Sequence, residues 1–151
     1  APELPSAGRF VGREHHLPVR IYFEDTDHSG LVYHANYLRY MERARSDMLR
    51  VAGVDQRLAF DDGDGVYAVS ELTIKYRKPA RYDDALLVVS TVEHLGAATV
   101  VIHQRVMLLD ETLTDATVVA AFLSREGRPK RQPAHWRAAF EALLPSKTGD
   151  Q

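Results

Sequence analysis

The segment EDTDHSGLVYHANY, residues 24–37, places two aspartates, two histidines, a glycine and two tyrosines between a predicted strand and a predicted helix. Residues 19–23 alternate apolar and polar side chains, which is the period-two pattern of a strand. After the segment, apolar residues recur at spacings of four and three along one helical face, at Tyr37, Met41, Ala44, Met48 and Val51. The ionisable groups are therefore expected at a strand-to-helix junction.

The predicted helix has an exposed face and a predicted end. Arg43 and Asp47 fall away from the apolar stripe, four residues apart, where they are expected to form a weak surface ion pair. Gly53 follows the last periodic residue and predicts the end of the helix, because glycine readily adopts the left-handed conformation common there. Residues 56–65, which contain two glycines and three aspartates, are expected to form a loop.

The second half of the chain has the periodicity of strands. These patterns occupy residues 72–76, 85–96 and 98–124, and the last range divides into two strands near Asp110. A short helix is expected over residues 133–145, with an inward face at Trp136, Phe140 and Leu143. Tight turns favour antiparallel pairing, and a lone amphipathic helix must bury its apolar stripe against the sheet. The order predicts an α+β sandwich, with one domain over residues 18–145 between a flexible tail at 1–17 and a second tail at 146–151.

Composition removes several classes of function. The 151 residues carry 19 basic and 21 acidic side chains, so no overall positive field indicates a nucleic-acid partner. The absence of cysteine excludes a disulfide framework, a thiolate zinc site and a cysteine nucleophile, and it is compatible with a cytoplasmic protein. No apolar run approaches the roughly 20 residues of a membrane-spanning helix, and the N-terminal residues match a signal peptide poorly.

The residues of the junction suit attack on a carbonyl. Gly30 supplies a tight bend, and Asn36 is the expected N-cap of the helix. The amides and the dipole at a helix start favour negative charge. Asp27 precedes this electropositive end, where a carboxylate acts either as a nucleophile or as a general base for water. His34 supplies a hydrogen bond or a proton near neutral pH.

Simpler interpretations of the same residues stay open. An aspartate in DTDHSG is most often a turn or cap residue, and Asp25 is expected to brace the loop. Aspartates beside His28 and His34 also raise a metal site, but their spacing matches no standard ligand signature, so no metal is expected. The remaining histidines are interpreted as surface or packing residues, namely His15, His16, His94, His103 and His135.

Residues 22–45, YFEDTDHSGLVYHANYLRYMERAR, resemble the signature of hotdog-fold acyl-CoA thioesterases in the 4-hydroxybenzoyl-CoA thioesterase-like superfamily. Residues 76–84, YRKPARYDD, carry a second resemblance, and the Tol-Pal-associated branch is the most similar. The matching positions of the first segment are Tyr22, Asp25, Thr26, Asp27, Gly30, Val32, Tyr33, His34, Tyr37, Tyr40, Glu42, Ala44 and Arg45. The resemblance implies a hotdog fold, with an antiparallel sheet of about five long strands wrapped around one long central helix.

The resemblance also implies roles for individual residues. Asp27 falls on the catalytic carboxylate, and His34 on the histidine of the Tol-Pal-associated branch. The backbone amide of His34 would polarise the thioester carbonyl, while Gly30 and Tyr33 shape the loop around it. Members of the family form dimers and often tetramers with sites at the dimer interface, so residues of the partner chain near Ser70 to Thr73 are expected to complete each site.

The implied reaction is hydrolysis of an acyl-CoA thioester, with acyl groups on acyl carrier protein as a further possible substrate. No cofactor is expected, since coenzyme A enters as part of the substrate. One rival is an aromatic-acyl-CoA thioesterase of the hydroxybenzoyl type. Another is a weakly catalytic binding partner of an envelope or lipid-synthesis complex. Acyl chain length does not follow from the sequence.

Two basic clusters are candidates for contact with the phosphates of coenzyme A. One cluster contains Lys75, Arg77, Lys78 and Arg81. The other contains Arg125, Arg128, Lys130 and Arg131, and its loop position favours it, with Arg128 and Lys130 as the expected contacts. A solvated basic edge is the alternative interpretation of either cluster.

Overall fold

The long helix α1, Asn36–Val51, lies against one face of a six-stranded antiparallel sheet in the computed structural model, which describes residues 2–145. In chain order the strands are β1 Arg9–Val11, β2 Glu14–Arg20, β3 Val66–Tyr76, β4 Ala85–Leu95, β5 Thr99–Leu108 and β6 Glu111–Leu123. Two shorter helices are α2 Gln56–Asp61 and α3 Ala134–Glu141, and a 3-10 turn covers Phe23–Asp25.

The sheet has the order β1-β2-β4-β5-β6-β3, so β3 is an edge strand although it lies in the middle of the chain. All its neighbouring strands pair antiparallel. The predicted α+β fold is confirmed. The sheet has six strands rather than about five because the three-residue β1 extends it beyond β2.

Helix α1 buries most of the predicted apolar stripe and ends close to Gly53, as predicted. Val51, its last residue, stays 40% exposed, unlike the buried members of the stripe, Tyr37, Met41, Ala44 and Met48. Gly53 adopts φ = +91°, and the Val54 amide donates to the Leu49 carbonyl at 2.8 Å. This six-residue hydrogen bond across a left-handed glycine is the Schellman ending of a helix.

The N-terminal region is more ordered than a tail over residues 1–17 implies. Strand β1 and the first half of β2 lie within that range, and His15 pairs with Ser90 of β4. The strand predicted over residues 19–23 ends at Arg20, because Ile21 exchanges backbone hydrogen bonds with the turn at residues 83–84 instead of with β4. The predicted C-terminal tail, 146–151, lies outside the described residues.

The expected surface pair of Arg43 and Asp47 is wrong, because Asp47 faces the N-terminal strands. Asp47 is 6% exposed, and its Oδ2 lies 2.7 Å from Nε2 of the fully buried His15. The Gly8 amide donates to the same oxygen at 2.9 Å. The pair His15–Asp47 therefore joins the start of the sheet to the second half of α1.

The loop expected at residues 56–65 contains a short helix. In α2, Gln56–Asp61, the Asp55 side chain caps the helix by accepting from the Leu58 amide at 2.9 Å. The predicted C-terminal helix is confirmed as α3, which buries Trp136 and Phe140. Across residues 2–145, none of the helices has both the length and the apolarity to cross a bilayer.

Candidate active site

The segment between β2 and α1 forms a tight turn at Asp27. The Gly30 amide donates to the Asp27 carbonyl, and the Asp27 amide donates to the Leu31 carbonyl, both at 3.0 Å. Gly30 has φ = +83°, in the left-handed region where a residue with a Cβ is strained. The predicted bend at Gly30 is therefore present, and it turns the chain directly after Asp27.

Ser29, which is not among the predicted site residues, supports the Asp27 carboxylate. Its amide donates to Oδ1 at 2.8 Å, and its hydroxyl donates to the same oxygen. These hydrogen bonds hold the pKa of the Asp27 carboxyl below its usual range, and the carboxylate is solvent-exposed. Within residues 2–145, Oδ2 of Asp27 accepts no hydrogen bond. Asp27 is thus an ionised carboxylate with one oxygen open to a substrate or to water.

Asp27 and His34 line one cavity of about 340 Å³, so the structure brings the two predicted catalytic residues together. The other lining residues are Ser29, Leu31, Val32, Tyr37, Tyr76, Arg77, Lys78 and Pro79. They come from the turn, from the start of α1 and from the end of β3. The second segment of resemblance contributes residues 76–79 to this wall. The Val32 amide joins this segment to the turn by donating to the Ala80 carbonyl at 2.9 Å.

Asp25 braces the loop, as expected. Its Oδ2 accepts from the Tyr22 amide at 2.8 Å, while its carbonyl accepts from the Tyr33 amide at 3.0 Å and from Nδ2 of Asn36 at 2.8 Å. Asn36 is therefore not the N-cap of α1. Ala35 occupies that position without a side-chain hydrogen bond, because the Asn36 side chain reaches back to the loop.

The start of α1 offers two backbone amides. In the part of the chain that the structure describes, the amides of His34 and Ala35 donate to no protein acceptor. His34 borders the cavity that contains Asp27, and its carbonyl accepts a hydrogen bond from the Tyr76 hydroxyl at 2.9 Å. A carboxylate near free amides at a helix start suits attack on a carbonyl, because negative charge develops on the carbonyl oxygen.

Comparison with known proteins assigns the chain to a family. The model of the family described as Thioesterase superfamily matches residues 29–114. The chain belongs to the thioesterase superfamily. The acyl-CoA thioesterase YbgC of Haemophilus influenzae is 38% identical over 128 residues, which cover 84% of this chain and 94% of that protein. The acyl-CoA thioester hydrolase YbgC of Escherichia coli O6:H1 is 36% identical over 102 residues, covering 68% of this chain and 75% of that protein.

A solved structure agrees with this assignment. The crystal structure of a probable thioesterase from Bartonella henselae aligns with a TM-score of 0.76 and 32% identity, over 80% of this chain and 99% of that chain. The fold of the present chain is the hotdog fold of thioesterases, as the resemblance implies. The chain is an enzyme of the thioester hydrolase class.

The other predicted substrate-binding residues of this thioesterase are more scattered. Tyr33 is 47% exposed, and its ring lies 4.5 Å from that of His34, centroid to centroid. Ser70 lies on the edge strand β3, where the register shifts between Val69 and Glu71, and its hydroxyl donates to the Val119 carbonyl at 3.2 Å. Tyr33 lies in the segment between β2 and α1, although neither Tyr33 nor Ser70 lines the cavity of Asp27.

The two basic clusters lie at opposite ends of β3. Arg77 and Lys78 line the cavity of Asp27. Arg128 and Lys130 lie at the other end, where Lys130 Nζ donates to the Asp64 carbonyl at 2.5 Å. The 11 residues of β3, each rising about 3.3 Å, separate these ends by roughly 33 Å. Within one chain, the structure does not bring the favoured pair, Arg128 and Lys130, to Asp27.

A metal centre has no ligand set in the structure. Across residues 2–145, no group of three or more His, Asp or Glu side chains is arranged to hold an ion. Within these residues, the Asp27 carboxylate accepts hydrogen bonds from the amide and from the hydroxyl of Ser29. The groups that the described site offers are the Asp27 carboxylate, the imidazole of His34 and the backbone amides of His34 and Ala35.

Proposed function

We propose that this chain hydrolyses acyl-CoA thioesters, with Asp27 as the catalytic carboxylate and His34 as its assistant. The observation that carries the proposal is the ionised Asp27 carboxylate, held by Ser29 in the same cavity as His34 and next to the start of α1. The names of both YbgC relatives support acyl-CoA as the substrate. Acyl groups on acyl carrier protein remain a second expected substrate.

The geometry supports two routes. In the first, Asp27 Oδ2 takes a proton from water while the water oxygen attacks the thioester carbon. The thiolate then leaves and takes up the proton from Asp27, which regenerates the carboxylate. In the second, Oδ2 attacks the carbon, the thiolate leaves from a mixed anhydride, and water then cleaves the anhydride to regenerate the carboxylate. Both routes place negative charge on the carbonyl oxygen. The candidate donors to that oxygen are the free amides of His34, which lines the cavity, and of the adjacent Ala35. Losing one such donor costs about 2.7–4 kcal/mol of transition-state stabilisation.

The thioester is well matched to these groups. A thiolate is a stable leaving group, so the reaction needs no strong acid beside the sulfur. Among residues 2–145, Arg77 and Lys78 line the Asp27 cavity, and Asp27 supplies its one carboxyl group. The imidazole of His34 also lines the cavity, where it can donate or accept a hydrogen bond.

The test is hydrolysis of an acyl-CoA panel by the Asp27→Asn variant. The expected loss of turnover is about a hundredfold or more, with the fold intact. Asp83→Asn is a matched control, because Asp83 is an exposed turn residue with φ = +72°, a conformation that asparagine tolerates. Near-normal hydrolysis by Asp27→Asn would exclude Asp27 as the catalytic carboxylate.

The panel also separates the rival functions. It contains straight-chain acyl-CoAs, benzoyl- and 4-hydroxybenzoyl-CoA, and an acylated carrier protein. A preference for the aromatic thioesters would favour an enzyme of the hydroxybenzoyl type. Release of thiol from none of them would favour a binding partner of an envelope or lipid-synthesis complex. A cytoplasmic location stays a prediction, supported by the absence of cysteine.

We further propose that the active enzyme is a dimer joined through the free edges of two β3 strands. This edge leaves backbone groups open for pairing with another strand. An antiparallel pair centred on Thr73 would place Glu71 opposite Lys75 of the partner subunit and Leu72 opposite the partner's Ile74. Opposite charges and apolar side chains on facing positions stabilise antiparallel strands. Tetramers, which the family resemblance implies, remain an expectation.

This register supports the predicted role of Ser70. Centring on Thr73 would place Ser70 opposite the partner's Tyr76, which contacts the His34 carbonyl of its own chain. The Val66 end of β3 would then extend past the partner's Arg77, towards the cavity that contains the partner's Asp27. Arg128 and Lys130, which lie near that end, would approach the site from the other subunit. Their assignment to the phosphates of coenzyme A therefore depends on the dimer.

A further inference from the structure

Tyr76 stands at the point where β3 meets the start of α1. It is the last residue of β3, and its ring lies between those of Tyr37 and His34, at centroid distances of 5.7 Å and 6.1 Å. Its hydroxyl donates to the His34 carbonyl at 2.9 Å, across 42 residues of sequence. The residue also lines the cavity of Asp27 and is 46% exposed. A hydroxyl in this position touches the backbone of the turn rather than the Asp27 carboxylate.

The hydrogen bond from Tyr76 fixes the orientation of the peptide plane between His34 and Ala35. In a trans peptide the C=O and N–H groups are coplanar and point in opposite directions. The His34 carbonyl belongs to the same peptide unit as the Ala35 amide, so a donor on the carbonyl fixes the direction of that N–H. The preceding unit is held in the same way, because the Tyr33 carbonyl accepts from the Asn36 amide at 2.9 Å.

The two holding contacts differ in origin. The Asn36 amide belongs to the first turn of α1, so its hydrogen bond to the Tyr33 carbonyl forms whenever the helix forms. The Tyr76 hydroxyl comes from a different element, so its contact joins the orientation of the His34–Ala35 peptide to the sheet. Two free amides at a helix start stabilise an oxyanion only when both N–H groups are held in place before charge develops.

We propose that Tyr76 is a positioning residue for thioester hydrolysis: its hydroxyl holds the His34–Ala35 peptide so that the amides at the start of α1 face the developing oxyanion. The inference rests on the proposed function, because it needs the thioester carbon to react at Asp27. It assigns the tyrosine a role that acts through the backbone and requires no contact with the substrate. It also explains why a polar hydroxyl lies at the end of the inner face of β3, where Leu72 and Ile74 are packed on the core.

The test compares Tyr76→Phe with Tyr67→Phe. Tyr76→Phe keeps the ring between His34 and Tyr37 and removes one hydroxyl. Tyr67→Phe removes a hydroxyl from the other end of the same strand, where it donates to Oε1 of Gln132 at 2.5 Å. For Tyr76→Phe we expect kcat to fall about three- to tenfold, the effect of one net hydrogen bond, with KM unchanged. For Tyr67→Phe we expect a lower melting temperature and an unchanged kcat.

Two further measurements exclude a general structural effect. The affinity for the product coenzyme A should be the same in wild type and Tyr76→Phe, since the peptide that the hydroxyl positions stabilises only the transition state. The acidic limb of the kcat profile against pH should also stay in place, because that limb reports Asp27. The positioning role would be overturned if kcat fell equally in both tyrosine variants. It would also be overturned if Tyr76→Phe changed KM and left kcat unchanged.

Failure of this inference is distinct from failure of the proposed function. If wild type hydrolyses acyl-CoA, Asp27→Asn does not, and Tyr76→Phe matches wild type in kcat, then the carboxylate role stands and the role of Tyr76 is wrong. If wild type releases no thiol from the whole panel, the proposed function itself is wrong. The Tyr76 inference then falls with it.

Discussion

Ser29 donates two hydrogen bonds to a single oxygen of Asp27, from its backbone amide at 2.8 Å and from its hydroxyl. Both donors lie two residues along the chain, so the turn that exposes the carboxylate also stabilises its charge. Donors of this kind favour the ionised form and lower the pKa of an acid. Because both bonds end on Oδ1, Oδ2 remains available for the reaction.

Removing the Ser29 hydroxyl should move the pH dependence of hydrolysis. In Ser29→Ala the pKa of Asp27 rises, because the larger of its stabilising hydrogen bonds is lost. The reactive form is the carboxylate, so activity should begin to fall at a higher pH as the solution is acidified. The measurement is kcat/KM against pH. Ser29→Thr keeps a hydroxyl on the same backbone and should retain the wild-type acidic limb, and an unshifted limb in Ser29→Ala would contradict the role of this hydrogen bond.

The buried pair of His15 and Asp47 should make stability depend on pH. Burial lowers the pKa of His15, although its hydrogen bond to Asp47 and the charge of Asp47 oppose the shift. Between this lowered value and the ordinary value near 6.5, the unfolded chain binds a proton that the folded chain does not. Stability is therefore complete above about pH 6.5 and falls as the pH drops below it. The measurement is the free energy of unfolding in urea between neutral and mildly acidic pH.

Two variants identify the group responsible. His15→Gln should remove this part of the pH dependence, while His135→Gln, at an exposed position on α3, should leave it unchanged. Asp47→Asn removes the two effects that raise the pKa of His15, so the loss of stability on acidification should extend to a lower pH. An identical pH dependence in wild type and His15→Gln would show that another group is responsible.

Periodicity predicts the helices and strands of this fold better than it predicts the contacts between them. The spacing of Tyr37, Met41, Ala44 and Met48 is sufficient for α1, because one apolar stripe must be buried whatever covers it. Asp47 lies next to that stripe, and the sequence alone assigns it to solvent. Its burial depends on β1 and β2 crossing the same end of the helix, which is a long-range contact with no local signal.

The candidate site likewise contains residues that a local segment predicts and residues that only long-range contacts place there. Asp27, His34 and Gly30 are recognisable from one contiguous segment, and the structure places the first two in one cavity. Ser29 belongs to that segment too, and the Asp-x-Ser spacing is a signal for the turn that it closes. Tyr76 carries no such signal, because its contact with His34 depends on the distance between β3 and α1 in the fold.

The basic residues should contribute to substrate affinity. Charge reversal at Arg128 and Lys130 should raise KM with little effect on turnover, because the phosphates of coenzyme A lie far from the reacting carbon. Charge reversal at Arg77 provides the comparison, since this residue lines the Asp27 cavity of its own chain. Steady-state kinetics with acyl-CoA and with a short acyl-pantetheine, which lacks the nucleotide, measure the effect. An increase in KM for both substrates would show that the variants disturb the site rather than a phosphate contact.

The absence of cysteine makes the proposed dimer open to a direct cross-linking test. Thr73→Cys should form a disulfide between two subunits, since residues opposite each other across antiparallel strands lie within the roughly 4.4–6.8 Å between Cα atoms that a disulfide spans. The single variants Glu71→Cys and Lys75→Cys should cross-link poorly, whereas their mixture should give a heterodimeric disulfide. Non-reducing electrophoresis measures the product, and size-exclusion chromatography of the cysteine-free chain gives its state in solution. Strong cross-linking of Glu71→Cys alone would move the two-fold axis away from Thr73 and remove Ser70 from the partner's site, and a monomeric, active wild type would disprove the dimer.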